Sequence, residues 1–178
     1  MTSKEFVEKL LNVLNYKTVY MWGCFGSPVT KALIEDKSVQ YPNWYKTRME
    51  KLWELIDKNY FGFDCVGLIK GILWGWNGDL KKYHGGARYG LHGVPDLNAN
   101  MMIAKCKDVS KDFKNILPGE AVWLSGHIGV YIGDGKVIES TPIWKNGVQI
   151  TDCWNVQKTN GNGRLWIKHG KLPWVVYE

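Results

Sequence analysis

The chain has 178 residues and a formal net charge of +6, and it is 45% hydrophobic and 22% charged. This length and composition suit one globular domain, 1–178, and exclude a disordered chain. No apolar run is long enough for membrane insertion, and the four cysteines lack C-x-x-C spacing, which argues against a metal site.

Helical patterns dominate the first half of the chain. Apolar stripes predict an amphipathic helix over residues 3–14 and another from Trp44 to Lys58. A third, strongly apolar helix begins near Asp64, a good N-cap residue, and extends to about Trp76. We expect the glycine-rich residues 77–100 to form a loop, which a short helix from about Asn98 to Lys105 closes.

Strands and turns dominate from Ile116 onward. Because helical segments come first and strands follow, the order predicts an α+β fold. The amphipathic N-terminus predicts a first helix rather than a secretion signal, so we expect synthesis in the cytoplasm with free thiols. The sequence leaves undecided whether Cys106 and Cys153 form a disulfide. The basic surface favours an anionic partner, and no basic–aromatic module indicates nucleic acid.

A β-hairpin is predicted over residues 127–140. If Val130 and Ile138 share the core face, a three-residue loop, Gly133 to Gly135, must join the strands, with Gly135 at positive φ. In that register Glu139 lies diagonal to His127 on the same face, within reach of its ring. A two-residue turn at the same place would carry Glu139 to the opposite face.

Cys65 is the candidate nucleophile. It falls in the first turn of the helix that Asp64 caps, where unpaired N–H groups and the helix dipole stabilise a thiolate. His127 is the candidate base, and Glu139 is the candidate to orient it. Each residue also has a purely structural alternative. Cys65 would be a small buried apolar side chain, His127 a structural histidine and Glu139 a solvated surface residue.

Three motifs resemble those of the NlpC-type cell-wall cysteine peptidases, a papain-like family that cleaves peptidoglycan stem peptides. Residues 20–23, Tyr-Met-Trp-Gly, are similar to the family's Tyr-x-Trp-Gly segment. Residues 63–68, Phe-Asp-Cys-Val-Gly-Leu, resemble its Phe-Asp-Cys-Ser-Gly-Leu motif. Residues 117–139 follow its Pro-Gly-Asp, His-Val-Gly-Ile-Tyr and Gly-x-Gly run, and the three motifs span most of residues 16–141.

The resemblance implies a papain-like fold. In that fold, N-terminal helices carry the nucleophile at a helix N-terminus and pack on an antiparallel β-sheet. By position, it implies Cys65 as nucleophile, His127 as base and Glu139 as the third polar residue. It also implies contacts with the oxyanion or the substrate from Tyr20, Asp64, Trp22 and Gly126. For Tyr20, the sequence supports a place in the hydrophobic core equally well.

The implied activity is cleavage of peptidoglycan stem peptides between γ-D-glutamate and the following diamino acid, by a monomer that needs no cofactor. Three alternative functions remain. They are an N-acetylmuramoyl-L-alanine amidase, an acyltransferase with the same Cys–His pair and a non-catalytic wall-binding module. The chain departs from the family in a helical insertion at about 27–60 and in a Glu where the family more often has His, Asn or Gln. The lack of a wall-binding module and an export signal suits a phage endolysin, a tail-delivered enzyme or one domain of a larger chain.

Overall fold

Two β-sheets and six α-helices form the α+β fold of the computed structural model, which describes residues 1–178. The helices are α1 (Ser3–Asn12), α2 (Lys31–Gln40), α3 (Pro42–Tyr45), α4 (Met49–Trp53), α5 (Cys65–Leu73) and α6 (Ala99–Lys105). The strands are β1 (Lys17–Tyr20), β2 (Phe25–Pro28), β3 (Tyr60–Phe63), β4 (Lys107–Ser110), β5 (Ala121–Leu124), β6 (His127–Gly133), β7 (Lys136–Thr141), β8 (Gly147–Cys153), β9 (Gly163–Arg164) and β10 (Lys168–Lys171). The predicted fold class is therefore confirmed.

The smaller sheet joins three strands from the first half of the chain in the order β1-β3-β2. β1 runs parallel to β3, with Tyr20 opposite Phe63, whereas β2 is antiparallel to β3. Sequence analysis missed this sheet because each strand has only four residues, too few for a clear alternation. Because the parallel strands end side by side, Tyr20 is brought next to the start of α5.

The larger sheet has the strand order β4-β10-β5-β6-β7-β8-β9. The strands β5 to β8 are antiparallel neighbours in chain order, and β9 adds to β8 in parallel. Both faces of this sheet are covered. One face carries Ile128, Val130 and Ile138 into the main core, and the other packs a second cluster around Tyr131 and Trp166.

The helix α5 lies at the centre of the main core, and all nine of its residues are buried. Its Gly67 and Gly71 are four residues apart and therefore share one side of the helix. A Cβ atom at Gly67 would lie 2.0 Å from the backbone oxygen of Cys24, and one at Gly71 would lie 2.5 Å from that of Phe25. The two glycines thus allow the helix backbone to lie directly against the chain that enters β2.

The single helix predicted from Trp44 to Lys58 is wrong. α3 ends where Arg48 donates a hydrogen bond from its guanidinium to the Trp44 carbonyl oxygen, at 2.7 Å. α4 is followed by turns in which Asp57 and Asn59 have positive φ. α2 was not predicted because its apolar residues form no stripe. The three helices pack in a smaller core, in which their buried residues Leu33, Ile34, Tyr45 and Leu52 join Val19, Met21, Cys24 and Val29. The interpretation of residues 27–60 as an insertion remains a prediction.

The hairpin of β6 and β7 has the predicted register. Val130 pairs with Ile138, as the alternation of apolar residues required. Gly135 has the predicted positive φ, at +67°. Because the register is correct, Glu139 lies on the same side of the sheet as His127.

The predicted three-residue loop of this hairpin is nevertheless wrong. Gly133 pairs with Lys136, which leaves a two-residue turn at Asp134 and Gly135, both at positive φ. A register shift before Gly133 inserts the odd residue into β6 as a bulge. The register of Val130 with Ile138 requires one extra residue between the paired positions. This residue lies in the bulge of β6 and not in the loop, where it was predicted.

All four cysteines are free thiols, so Cys106 and Cys153 do not form a disulfide. Among the helices, none combines the length and the apolar character that crossing a membrane requires.

A buried contact between His169 and Glu120 holds β10 to the segment that precedes β5. His169 Nδ1 contacts the Glu120 carboxylate, and His169 Nε2 lies 2.9 Å from the Asp112 carbonyl oxygen. A carbonyl oxygen only accepts, so Nε2 donates to Asp112, and Nδ1 and the Glu120 carboxyl group share a hydrogen bond. Sequence analysis gave this histidine no role, because its partners are 49 and 57 residues away in the chain.

We expect His169→Ala to lower the free energy of unfolding by about 3–5 kcal/mol, because Glu120 would remain buried without its partner. Urea unfolding followed by tryptophan fluorescence measures this change. The matched control is His92→Asn. His92 is exposed and has positive φ, which Asn tolerates, so the control should change stability by less than about 0.5 kcal/mol. Equal effects of the two changes would contradict a role for the buried pair.

Candidate active site

Cys65 is the first residue of α5, directly after β3, and the Asp64 carboxylate organises its surroundings. The Gly67 N–H donates to Asp64 Oδ1 at 2.5 Å, and the Gly23 N–H donates to Oδ2 at 2.8 Å. Asp64 is therefore the predicted N-cap, and it also ties down the loop that follows β1. Burial raises the pKa of Asp64, while Lys70 and the two backbone N–H groups favour its ionised form.

The expected stabilised thiolate is wrong. Burial, followed by the charge of Asp64, raises the pKa of the Cys65 thiol to about 12. Hydrogen bonding from the backbone N–H groups of Ile128 and Val66 and from the Tyr20 hydroxyl opposes this rise without cancelling it. The thiol is thus protonated near neutral pH, and a role as nucleophile would require a base to take its proton.

His127 and Glu139 are in direct contact. His127 Nε2 lies 2.6 Å from Glu139 Oε2, and Glu139 is completely buried. When the ring donates from Nε2, its Nδ1 is the atom left free to accept a proton. The predicted side-by-side placement of these two residues is therefore what the structure shows.

The Glu139 carboxylate is surrounded by donors. The Thr151 hydroxyl donates to Oε1 at 2.5 Å, and Arg164 Nη2 lies 2.9 Å from Oε2. Burial by itself would raise the pKa of Glu139, but the hydrogen bond and charge of His127, the charge of Arg164 and the Thr151 hydroxyl together hold it below its usual value. Glu139 is therefore an ionised group with a fixed orientation.

Two contacts bring the start of α5 beside β6 and β7. The Cys65 sulfur faces the backbone N–H of Ile128, the residue that follows His127. The Ser140 hydroxyl, next to Glu139 in the chain, donates to the Phe63 carbonyl oxygen at 2.8 Å. These contacts place Cys65 beside the backbone of the residue that follows His127, where the two sheets come together.

A cleft of about 670 Å³ opens over Cys65. It is lined by the predicted contact residues Tyr20, Trp22, Asp64 and Gly126. One wall comes from Lys37, Gln40 and Tyr41 in and after α2, and the other from residues 96–101. His127 and Glu139 are not among the lining residues.

The predicted contact residues differ in character. Trp22 is 44% exposed and presents an aromatic ring to the cleft, whereas Tyr20 is only 6% exposed. Burial raises the pKa of Tyr20, followed by the charges of Cys65 and Asp64, so its hydroxyl remains a donor beside the sulfur. Tyr20 is therefore a core aromatic and also a neighbour of the candidate nucleophile, and its role at the oxyanion stays a prediction.

Sequence analysis missed Asn100, Thr151, Arg164 and Trp166. Asn100 Oδ1 accepts from the Gly126 N–H and from Trp123 Nε1, both at 3.0 Å, and so fixes the turn before His127. Alternation along β8 could have placed Thr151 on the face of Glu139. Arg164 lies in a two-residue strand after a glycine-rich segment, where the sequence carries no signal. No group of three or more His, Cys, Asp or Glu side chains is arranged to hold a metal ion.

Two solved structures share this fold. NlpC2 from Trichomonas vaginalis matches 94% of this chain and 46% of its own, at 15% identity and a TM-score of 0.50. The peptidoglycan hydrolase RipB from Mycobacterium tuberculosis matches 95% of this chain and 65% of its own, at 13% identity and a TM-score of 0.50. No protein-family model and no curated protein sequence matches. The chain therefore has the predicted NlpC-type, papain-like fold, and it spans less than two thirds of either relative.

We expect Gly67→Ala to displace the start of α5, because its Cβ would meet a backbone oxygen that cannot move aside. The expected cost in the free energy of unfolding is about 2–3 kcal/mol, typical of an overpacked core. Gly62→Ala is the matched control in β3, since its Cβ would meet only the flexible Met21 side chain, with the sulfur at 2.8 Å. Urea unfolding of both variants measures the difference, and a larger loss in Gly62→Ala would refute the backbone contact.

We expect iodoacetamide to label Cys65 about tenfold faster for each unit of pH between about pH 6 and pH 10. The reason is that the reactive thiolate fraction grows tenfold per unit below a pKa of about 12. Mass spectrometry of the Cys65 peptide at each pH separates it from the other thiols. Cys106 is an internal reference, because burial also raises its pKa to about 12. A labelling rate of Cys65 that is flat from about pH 5 to pH 7 would reveal a preformed thiolate instead.

Proposed function

We propose that this chain is a cysteine hydrolase that cleaves amide bonds in the stem peptides of bacterial peptidoglycan. The observation that carries the proposal is Cys65 at a capped helix start in an open cleft, beside the backbone of the residue that follows His127, which itself contacts Glu139. The shared fold with a protein named as a peptidoglycan hydrolase supports the choice of substrate. The motif resemblance favours the bond between γ-D-glutamate and the following diamino acid.

The first half of the reaction transfers the acyl group to sulfur. His127 Nδ1 takes the Cys65 proton as the sulfur attacks the carbonyl carbon, which forms a C–S bond. N–H groups at the start of α5 and the Tyr20 hydroxyl stabilise the oxyanion. The imidazolium then gives its proton to the leaving amine, and the C–N bond breaks.

The second half releases the product. His127 takes a proton from water, the resulting hydroxide attacks the thioester, and the thiol is regenerated as the C–S bond breaks. Glu139 keeps the imidazole in one orientation through both halves, because it holds Nε2 and leaves Nδ1 free to exchange the proton. The reaction needs no cofactor and no second copy of the chain.

The place of action is the bacterial cell wall, reached by phage release, delivery on a phage tail or export. The net charge of +6 favours contact with an anionic wall polymer. The helices of residues 27–60 supply one wall of the cleft, so this segment contributes to the choice of stem peptide.

We expect Cys65→Ala to abolish release of soluble fragments from purified cell walls, and His127→Ala to reduce the rate by at least about 10², a typical contribution of a general base. Glu139→Gln should lose less, because it keeps a hydrogen-bond acceptor. Cys106→Ala is the matched control, since this thiol lies outside the cleft. Unimpaired release by Cys65→Ala would refute the mechanism.

The masses of the new termini in the same digest identify the reaction. A free amine on the diamino acid supports the proposed bond, and a free L-alanine amine indicates an amidase instead. Transfer of the acyl group to an added amine indicates an acyltransferase. Wild-type protein that binds walls without releasing any fragment would be a wall-binding module.

A further inference from the structure

We propose that Arg164 is a positioning residue that neutralises the charge of Glu139, so that His127 is oriented by a carboxylate and still remains a neutral base. This inference rests on the proposed function, because it assigns a role within that catalytic apparatus. It concerns a residue that belongs to none of the three sequence motifs.

The charges of Arg164 and His127 converge on one atom. Glu139 Oε2 lies 2.9 Å from Arg164 Nη2 and 2.6 Å from His127 Nε2. Arg164 Nη2 and Nε are buried, and neither makes an aligned hydrogen bond. Arg164 therefore acts on Glu139 through its charge rather than through a directed hydrogen bond.

Aromatic rings hold Arg164 in this position. Its guanidinium carbon lies 4.9 Å from the centre of the Trp144 ring and 5.6 Å from that of the Trp166 ring. The Trp166 ring is itself stacked on His127, with centres 5.7 Å apart and planes inclined by 14°. The arginine and the histidine thus share one buried tryptophan, which fixes the geometry of the charge and the ring together.

The electrostatic consequence follows from the charges around His127. A buried carboxylate beside an imidazole favours the imidazolium, which cannot accept a proton. Arg164, from β9, offsets that charge while leaving the hydrogen bond from Nε2 intact. The titratable group in contact with the ring is Glu139 from β7, and the thiol of Cys65 from α5 lies beside Ile128, the next residue of β6. With these neighbours, the pair of Glu139 and Arg164 behaves as one neutral hydrogen-bond acceptor.

The test is a pH titration of the His127 ring by NMR in the free protein, assigned by comparison with His127→Ala. Removing the cation in Arg164→Met should move the midpoint to higher pH by at least about 0.5 unit, since charges a few ångströms apart interact at this level. Removing the anion in Glu139→Gln should move it to lower pH. The double variant lacks both charges, so its midpoint should return close to that of the wild type. Arg164→Lys keeps the charge and should lie nearer to the wild type than Arg164→Met does.

Wall hydrolysis provides the second readout. In Arg164→Met the acidic limb of the pH dependence of kcat/KM should move to higher pH in parallel with the titration. If that variant does not fold, the comparison of Glu139→Gln with the double variant still isolates the effect of Arg164. An unchanged midpoint with a rate loss at every pH would mean a merely structural role and would overturn the proposal. Because the titration needs no substrate, an inactive wild type would refute the proposed function without deciding the charge pair.

Discussion

The candidate site depends on one carboxylate, that of Asp64. One of its oxygens accepts the Gly67 N–H inside α5, and the other accepts the Gly23 N–H in the loop after β1. A side chain with two acceptor oxygens can hold both segments at once, whereas a hydroxyl cap satisfies the helix alone. The position of Cys65 between these segments, and the wall of the cleft that the loop forms, follow from this double contact.

The same arrangement requires a close approach of backbones. Gly67 and Gly71 let α5 lie against the chain around Cys24 and Phe25, with no side chain between them. The Ser140 hydroxyl then joins the small sheet to β7 through the Phe63 carbonyl oxygen. Because β7 also carries Glu139, the contact that joins the two sheets also ties the segment before Cys65 to the strand of Glu139.

Burial determines the electrostatics of the site. It makes the Cys65 thiol a weaker acid than an exposed cysteine, so the dipole of a short helix does not by itself yield a thiolate. Glu139 remains ionised despite complete burial because three side chains supply hydrogen bonds or positive charge. The site thus combines a neutral thiol with a carboxylate whose charge is balanced locally.

The sequence alone determined the elements whose signals are local. The Asp64 cap, the apolar helix after it and the alternation around Val130 and Ile138 each depend on neighbouring residues, and the contact of His127 with Glu139 followed from that alternation. Only the tertiary structure decided the features that arise from distant partners. The short parallel sheet, the pairing of Arg164 with Glu139 and the elevated pKa of Cys65 all depend on what is packed alongside. The helix predicted over 44–58 failed for the same reason, because a long-range core and an arginine cap outweighed the local stripe.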